Sequence, residues 1–372
     1  MREHAGQHKL YFIADTFGRR GIPVSVLVPD LADNRAFLAG KRHIDAHFYA
    51  PGGVLADVRR KAQVLSKGDW SAVWVVGVGL RSLTMRGWWA RDVPIIKDFD
   101  EFPSMIESFS GMRRAYLRWI ERRMITQADG FTCASAFLEK AVRQRRPDLG
   151  NHLLRLPVAI SEEEHRVDPQ VVTRLRAGAG QRPVLLYVGS VNRFYEDQLD
   201  EIIGLAKVLR RRGSVAFVRI LGGGPDSEYF KAKARAEDVG DTLQFAGHVD
   251  RHELASHMEA AQVLLFPFPT SPFNLSRCPT KAFHYAAANR PVVTNRTGEV
   301  AVLLGESALY YPEREVDAFA DRCEEALKNG PRFDNGIALA TLTWEARARE
   351  FARWLEQRGW LGAAARAATA AA

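Results

Sequence analysis

Apolar residues along this chain fall into short blocks, separated by longer stretches in which they recur at helical spacing. In the first half, residues 24–28, 73–76, 94–96 and 130–133 have the character of short buried strands. Residues 7–20, 112–127 and 136–144 show the three-to-four spacing of helices. The alternation is more regular in the second half. Strands are expected at 184–188, 216–221, 242–245, 263–266 and 291–294, with helices at 199–211, 228–237, 253–261 and 280–288. Such alternation marks parallel βαβ units, so the expected class is α/β with two Rossmann-like domains. Their expected limits are 1–155 and 156–338, with a hinge at 154–160. An amphipathic helix within 339–360 and a disordered Ala-rich tail at 361–372 should follow. One feature is irregular. A helix comes first, and Ala5-Gly6-Gln7 before it reads as a ligand loop, whereas a doubly wound domain opens with a strand. A first N-terminal strand is therefore expected to be missing; the other reading is a helix-first topology.

Composition narrows the class. The chain has 372 residues, 47% apolar and 26% charged, which suits two soluble domains. Its net charge of +8 is unevenly placed: residues 1–155 carry 25 Lys and Arg against 16 Asp and Glu, and residues 156–372 carry 27 against 28. That excludes a uniform basic coat, so no nucleic-acid partner is expected, and it turns the first domain toward something acidic. The longest apolar run, 72–80, falls short of the ~18 residues a membrane helix needs. No apolar signal segment is read at the start, and the three cysteines form no framework, so a cytoplasmic setting is expected. No metal-ligand spacing appears; His248 and His252 are separated by a turn and fall short of a zinc set.

Much of the excess charge lies on the helix expected at 112–127. Arg114, Arg118 and Arg122 form one row, and Met112, Tyr116, Trp119 and Ile120 share another face. Trp88 and Trp89 lie between Arg86 and Arg91. These residues read either as a dock for an anionic membrane surface or as a solvated helix face with packed tryptophans.

Candidate chemistry sits in loops after strands, where open α/β sheets bind ligands. Gly189, Gly222, Gly223 and Gly224 allow close backbone approach and offer N–H groups to phosphate; the alternative is tight βα turns. The strongest loop runs through Ser276-Arg277-Cys278-Pro279-Thr280-Lys281 into a helix. Pro279 suits the first helical position, and Arg277 and Lys281 flank helix N–H groups in an arrangement that fits a diphosphate. The competing reading is a solvated pair of cations. Asp98 and Asp100 follow the strand at 94–96, where they serve either an acceptor or a solvated turn. Glu299 either contacts a sugar hydroxyl or caps the next helix.

The run 184–294 resembles the donor-binding domain of GT-B glycosyltransferases, especially family 4 and its relatives. The resemblance rests on Leu186-Tyr187-Val188-Gly189, Ile220-Leu221-Gly222-Gly223-Gly224-Pro225, Phe245-Ala246-Gly247-His248-Val249 and Pro279-Thr280-Lys281-Ala282-Phe283-His284-Tyr285, followed by Pro291-Val292-Val293. It implies two Rossmann-like domains facing a cleft and a last helix that crosses back to the first domain. Donor binding is implied at Gly189, Ser190, Arg193, Gly222, Gly223, Gly224, His248, Val249, Ser276, Arg277, Cys278, Lys281, His284 and Glu299. Gly6 and Gln7 fall on the acceptor side, and Asp98 and Asp100 are the candidate catalytic residues. The family's glutamate pair, eight positions apart, is replaced by Ser276 and His284; a neutral imidazole accepts only one hydrogen bond. Its Arg and Lys after the first strand of this domain fall on Ser190 and Tyr195, so Arg193, Arg277 and Lys281 are the expected substitutes. Asn289 replaces a glycine, a mild change because Asn tolerates the left-handed conformation.

The implied activity is retaining transfer of a sugar from a nucleotide-diphosphate-sugar to a glycan or lipid-linked acceptor, in polysaccharide or glycoconjugate synthesis. The nucleotide-sugar is the substrate, and neither cofactor nor metal is expected. The protein would then be cytoplasmic, with a peripheral position on the inner face of the membrane as a further expectation. Two alternatives stay open: a catalytically weakened GT-B partner subunit that binds nucleotide or glycan, and a GT-B nucleotide-sugar epimerase.

Overall fold

The computed structural model describes residues 5–82, 92–180, 182–330 and 335–362. The chain divides into unit 1, residues 1–159, 276–278 and 344–372, and unit 2, residues 160–275 and 279–343. Trp88, Trp89 and the tail from residue 363 lie outside the described residues.

Unit 1 begins with α1 (Ala5–Arg19), then β1 (Ser25–Pro29), α2 (Ala32–Leu38), β2 (Asp45–Tyr49), α3 (Val54–Leu65) and β3 (Val73–Val75). It continues with β4 (Ile95–Phe99), α4 (Gly111–Gln127), β5 (Gly130–Cys133), α5 (Ala136–Arg145) and β6 (Leu153–Arg155). Among the described residues the strands form two parallel sheets, β1-β2 and β3-β4-β5-β6. Tyr11 and Ala14 of α1 pack with Val26, Val28, Leu38 and Ile44 over the smaller sheet. In the larger sheet β4 and β5 are wholly buried, as strands covered on both faces must be.

Five elements of this unit depart from the sequence expectation. The pattern assigns nothing to the stretches forming α2, β2 and α3, and β6 falls at the edge of the expected hinge. The fifth departure is the face of α4. Met112, Tyr116 and Trp119 are 85%, 46% and 50% exposed, while Ile120 is buried with Met124 and Ile125. At 100° per residue the core stripe is centred near Met124 and Glu121, and Ile120 alone of the four reaches it. Glu121 points inward, accepting hydrogen bonds from the Ser104 N–H (2.9 Å) and Oγ (2.7 Å).

Unit 2 contains α6 (Pro169–Gly178), β7 (Val184–Val188), α7 (Glu196–Arg211), β8 (Phe217–Leu221), α8 (Ser227–Ala236), β9 (Leu243–Gly247) and α9 (Leu254–Ala260). Then come β10 (Val263–Phe266), α10 (Pro272–Ser276), α11 (Thr280–Ala287), β11 (Val292–Thr294), α12 (Gly298–Leu304), β12 (Leu309–Tyr310) and α13 (Val316–Asn329). Among the described residues these strands make one sheet ordered β12-β11-β10-β7-β8-β9, with every pairing parallel. Its core joins Leu185, Val218 and Leu265 of the sheet to Leu199, Ile202 and Leu209 of α7. Because the strands run one way, the loops after β7, β8, β9, β10 and β11 open on a single edge.

The last helix, α14 (Trp344–Glu356), belongs to unit 1. It lies on α1, with Trp344 stacked on Phe12 (ring centroids 5.3 Å) and Phe351 on Phe17 (5.9 Å). Among the described residues no helix is long and apolar enough to cross a membrane.

Candidate functional site

The loops of unit 2 are laced together by backbone. The Gly189 N–H donates to the Leu221 carbonyl (2.9 Å), Val191 N–H to Gly223 (3.1 Å), and Gly222 N–H to Gly247 (2.7 Å). A Cβ on Gly222 would collide with the Gly189 carbonyl, and one on Gly224 with that of Val191. Gly222 also holds φ +131°, which side chains rarely adopt. These glycines therefore bring loop against loop. The sequence reading gave their N–H groups to phosphate, but those of Gly189 and Gly222 are already donated to carbonyls, and that of Gly224 to Ser227 Oγ (3.1 Å).

Lys281, in the first turn of α11, reaches this edge. Its ammonium lies over the Tyr187 ring (4.0 Å) and the Phe266 ring (4.6 Å), 2.9 Å from where a Cβ on Gly189 would stand. One turn further on, Tyr285 pins the helix: its hydroxyl accepts from the Val188 N–H (2.9 Å) and donates to the Leu265 carbonyl (3.2 Å). Thus β7 and β10 fix α11, and α11 aims Lys281 at the Gly189 turn. Pro279 sits at the N-cap of α11, and the lysine adds a full charge to the positive end of the helix dipole.

The other expected donor residues are distributed around this centre. Ser190 is exposed, and its Oγ accepts from Asn192 Nδ2 (3.0 Å). Arg193 is exposed, its N–H held by Asp226 (2.9 Å) and its guanidinium stacked on Tyr229 (4.3 Å). The backbone N of His248 lies beside Gly223; its side chain is exposed and Val249 half-buried. Glu299 is buried in the first turn of α12, where a carboxylate favours the helix N-terminus. His284 has a buried Nδ1 without a hydrogen-bond partner among the described residues. Burial, with the nearby His165 and Arg251, lowers its pKa to about 3, so the imidazole is neutral.

Ser276, Arg277 and Cys278 group with unit 1. Ser276 is fully buried; its Oγ accepts from the Phe102 N–H (3.4 Å) and its carbonyl from Ser135 Oγ (2.9 Å). Cys278 is buried, and Arg277 is ion-paired with Glu101 at 3.9 Å. Gly6 and Gln7 lie in the first turn of α1.

At the end of β4 the sequence missed a residue. Asp98 is fully buried, 3.1 Å from the ammonium of Lys9, also fully buried, and accepts from Thr132 Oγ1 (2.5 Å). Lys9 also pairs with Asp100, whose side chain is 19% exposed. Burial would lower the Lys9 pKa, but the two carboxylates more than offset it and hold the ammonium protonated. Burial raises the Asp98 pKa against the opposing pull of Lys9. Only the tertiary fold joins residues 9 and 98, and the sequence signal was slight: a lysine within an apolar stretch of α1. Among the described residues no cluster of three or more His, Cys, Asp or Glu could hold a metal ion.

Residues 182–329 match the family model described as Glycosyl transferases group 1. A glycogen synthase of Mycobacterium tuberculosis is 26% identical over 213 residues, 57% of this chain and 48% of that protein. The chain thus spans about half the length of that relative. A putative teichuronic acid biosynthesis glycosyltransferase of Bacillus subtilis, TuaH, is 24% identical over 313 residues, 82% of this chain and 75% of that one. Among solved structures, Anabaena HepE in complex with UDP and glucose superposes with a TM-score of 0.70 at 15% identity, covering 96% of this chain and 97% of that one. Residues 182–329 are therefore similar to the glycosyl transferases group 1 model, and the chain has the GT-B fold of two Rossmann-like domains.

Proposed function

We propose that this chain is a glycosyltransferase that moves a sugar from a nucleotide-diphosphate donor to a glycan or lipid-linked acceptor, with retention at the anomeric carbon. The observation that carries the reading is the convergence of Lys281 and the α11 N-terminus on the laced Gly189–Gly222 loops. In the transfer, the bond from the anomeric carbon to the diphosphate oxygen breaks. A bond to an acceptor hydroxyl oxygen forms, and the hydroxyl proton passes to the departing diphosphate oxygen. Negative charge grows on the departing diphosphate, where a fixed ammonium and helix N–H groups stabilise it most. Asp100, the partly exposed carboxylate of the Lys9 pair, is the better placed of the two candidate catalytic aspartates to meet an acceptor. HepE, crystallised with UDP and glucose, supports a uridine donor as the first to test.

The partner-subunit reading is favoured by one observation. Ser276, at the family's first glutamate position, is fully buried and bonded to Ser135. Calorimetry of the intact chain with UDP- and GDP-sugars, with and without a chelator, tests the proposal together with product analysis. Donor binding and anomer-retaining transfer, both lost in Lys281→Ala, support it. Binding without transfer to any acceptor or hydrolysis assigns the partner role. Full affinity in Lys281→Ala removes the assigned diphosphate site.

A further inference from the structure

The exposed face of α4 has chemistry that the donor site does not use. Down its middle run Met112, Tyr116 and Trp119, all well exposed, with the two aromatic rings stacked at 6.5 Å. Arg118 and Arg122 line one flank and are exposed, with Arg114, half-buried, beyond them at the core side; Arg113 lies on the other flank, its guanidinium 3.6 Å from the centre of the Phe109 ring. The one acidic residue of the helix, Glu121, is turned inward onto Ser104. Arg114, Arg118 and Arg122 have no carboxylate within ion-pair distance among the described residues. The outward face thus combines positive charge with apolar surface, and the helix's single carboxylate, which Arg118 draws on, is buried.

We propose that this face of α4 docks unit 1 on an anionic phospholipid surface, with the helix lying in the plane of the interface. An apolar strip of Met, Tyr and Trp with arginine flanks is the arrangement an interfacial helix requires. The rings enter the headgroup–acyl boundary while the guanidiniums stay at phosphate level. Each arginine adds an electrostatic increment, and the charge excess of residues 1–155 has the same sign. A nucleic acid would also meet the arginines, but it gives a protruding methionine, 85% exposed, no partner. A lipid-linked acceptor would lie in the same surface.

The test is flotation of the full chain with vesicles of phosphatidylcholine alone and mixed with phosphatidylglycerol, at low and high salt. Partition onto the mixed vesicles, weakened by salt, is expected. The triple variant R114Q/R118Q/R122Q should lower it on the order of a hundredfold. Y116S/W119S should lower it as well, and bromolipid quenching of tryptophan fluorescence should diminish in Trp119→Phe. The substituted side chains are exposed or at the helix surface, so melting curves of the variants should match the parent. Absence of partition at low salt overturns the proposal. So does partition unchanged in the triple variant, or binding to single-stranded DNA without vesicle partition. No nucleotide-sugar is present in this experiment, so the donor reading and the docking reading fail independently.

Discussion

Lys9→Met removes a buried cation that faces two carboxylates. In the parent, Asp98 is fully buried and accepts from Lys9 and Thr132, and Thr132 Oγ1 in turn accepts from Trp74 Nε1 at 2.9 Å. The variant leaves Asp98 with Thr132 as its remaining partner among those two. Breaking a buried ion pair from one side costs roughly 3–5 kcal/mol, because a charge stays buried without compensation. For a unit of this size each kcal/mol moves the melting temperature by about 2–4 °C, so a fall of roughly 6–20 °C is expected by calorimetry or circular dichroism. The deficit should depend on pH. Without Lys9 the buried Asp98 carboxyl titrates well above its unfolded value. The folded variant then binds a proton more readily than the unfolded chain and gains stability as pH falls. The gap to the parent therefore narrows from about pH 8 to about pH 5. In the parent the Lys9 contribution is complete below about pH 10.5, the ordinary lysine value, because its folded pKa lies higher still. Adding Asp98→Asn to Lys9→Met removes the stranded charge and should recover much of the loss. A shift smaller than about 2 °C, or a deficit equal at both pH values, refutes the buried-pair account.

Gly224→Ala pushes a methyl into the Val191 carbonyl and should separate the β7 and β8 loops. A loss of about 1–3 kcal/mol in stability and at least a tenfold weaker UDP affinity are expected by denaturant titration and calorimetry. Gly240→Ala, where a Cβ meets open space, is the control and should be near neutral. His284, held neutral with a pKa of about 3, makes the unfolded state the better proton binder below the ordinary value of 6.5. Stability should fall by up to ~1.4 kcal/mol per pH unit between about 6.5 and 3. His284→Gln should flatten that slope, leaving the part due to His165 and His257, whose pKa values burial also lowers. An unchanged slope would show that His284 is protonated in the folded protein.

The sequence disclosed unit 2 better than unit 1, for a physical reason. Strands such as β7 and β10 are buried almost throughout, so they read as unbroken apolar runs, and β8 is broken only by Arg219. By contrast β2, Asp45-Ala46-His47-Phe48-Tyr49, is exposed at one end and only half-buried along most of its length, and it leaves no such run. The four apolar residues grouped on one face of α4 separate in the structure, since Ile120 lies about 80° around from Met112 and turns into the core while solvent reaches the other three. The place of Lys281 at a helix start is legible from its loop alone, since Pro279 marks where that helix begins. The glycines are legible in the sequence but their two readings stay open there, because close approach of one backbone to another leaves the same residue type as close approach to a ligand. The Lys9–Asp98 pair is 89 residues apart in sequence, and no local pattern announces it.

The packing of α14 on α1 also sets an order of assembly. On a ribosome, α1 emerges about 325 residues before α14, an interval of roughly 15–65 s at ordinary elongation rates. During that time Phe12 and Phe17 lack the Trp344 and Phe351 rings that cover them. The second unit, encoded almost wholly between them, is complete while the first still waits for its final helix. Nascent chains should therefore mature from the middle outward, and cleavage just before residue 344 should uncover aromatic surface at the other end of the polypeptide.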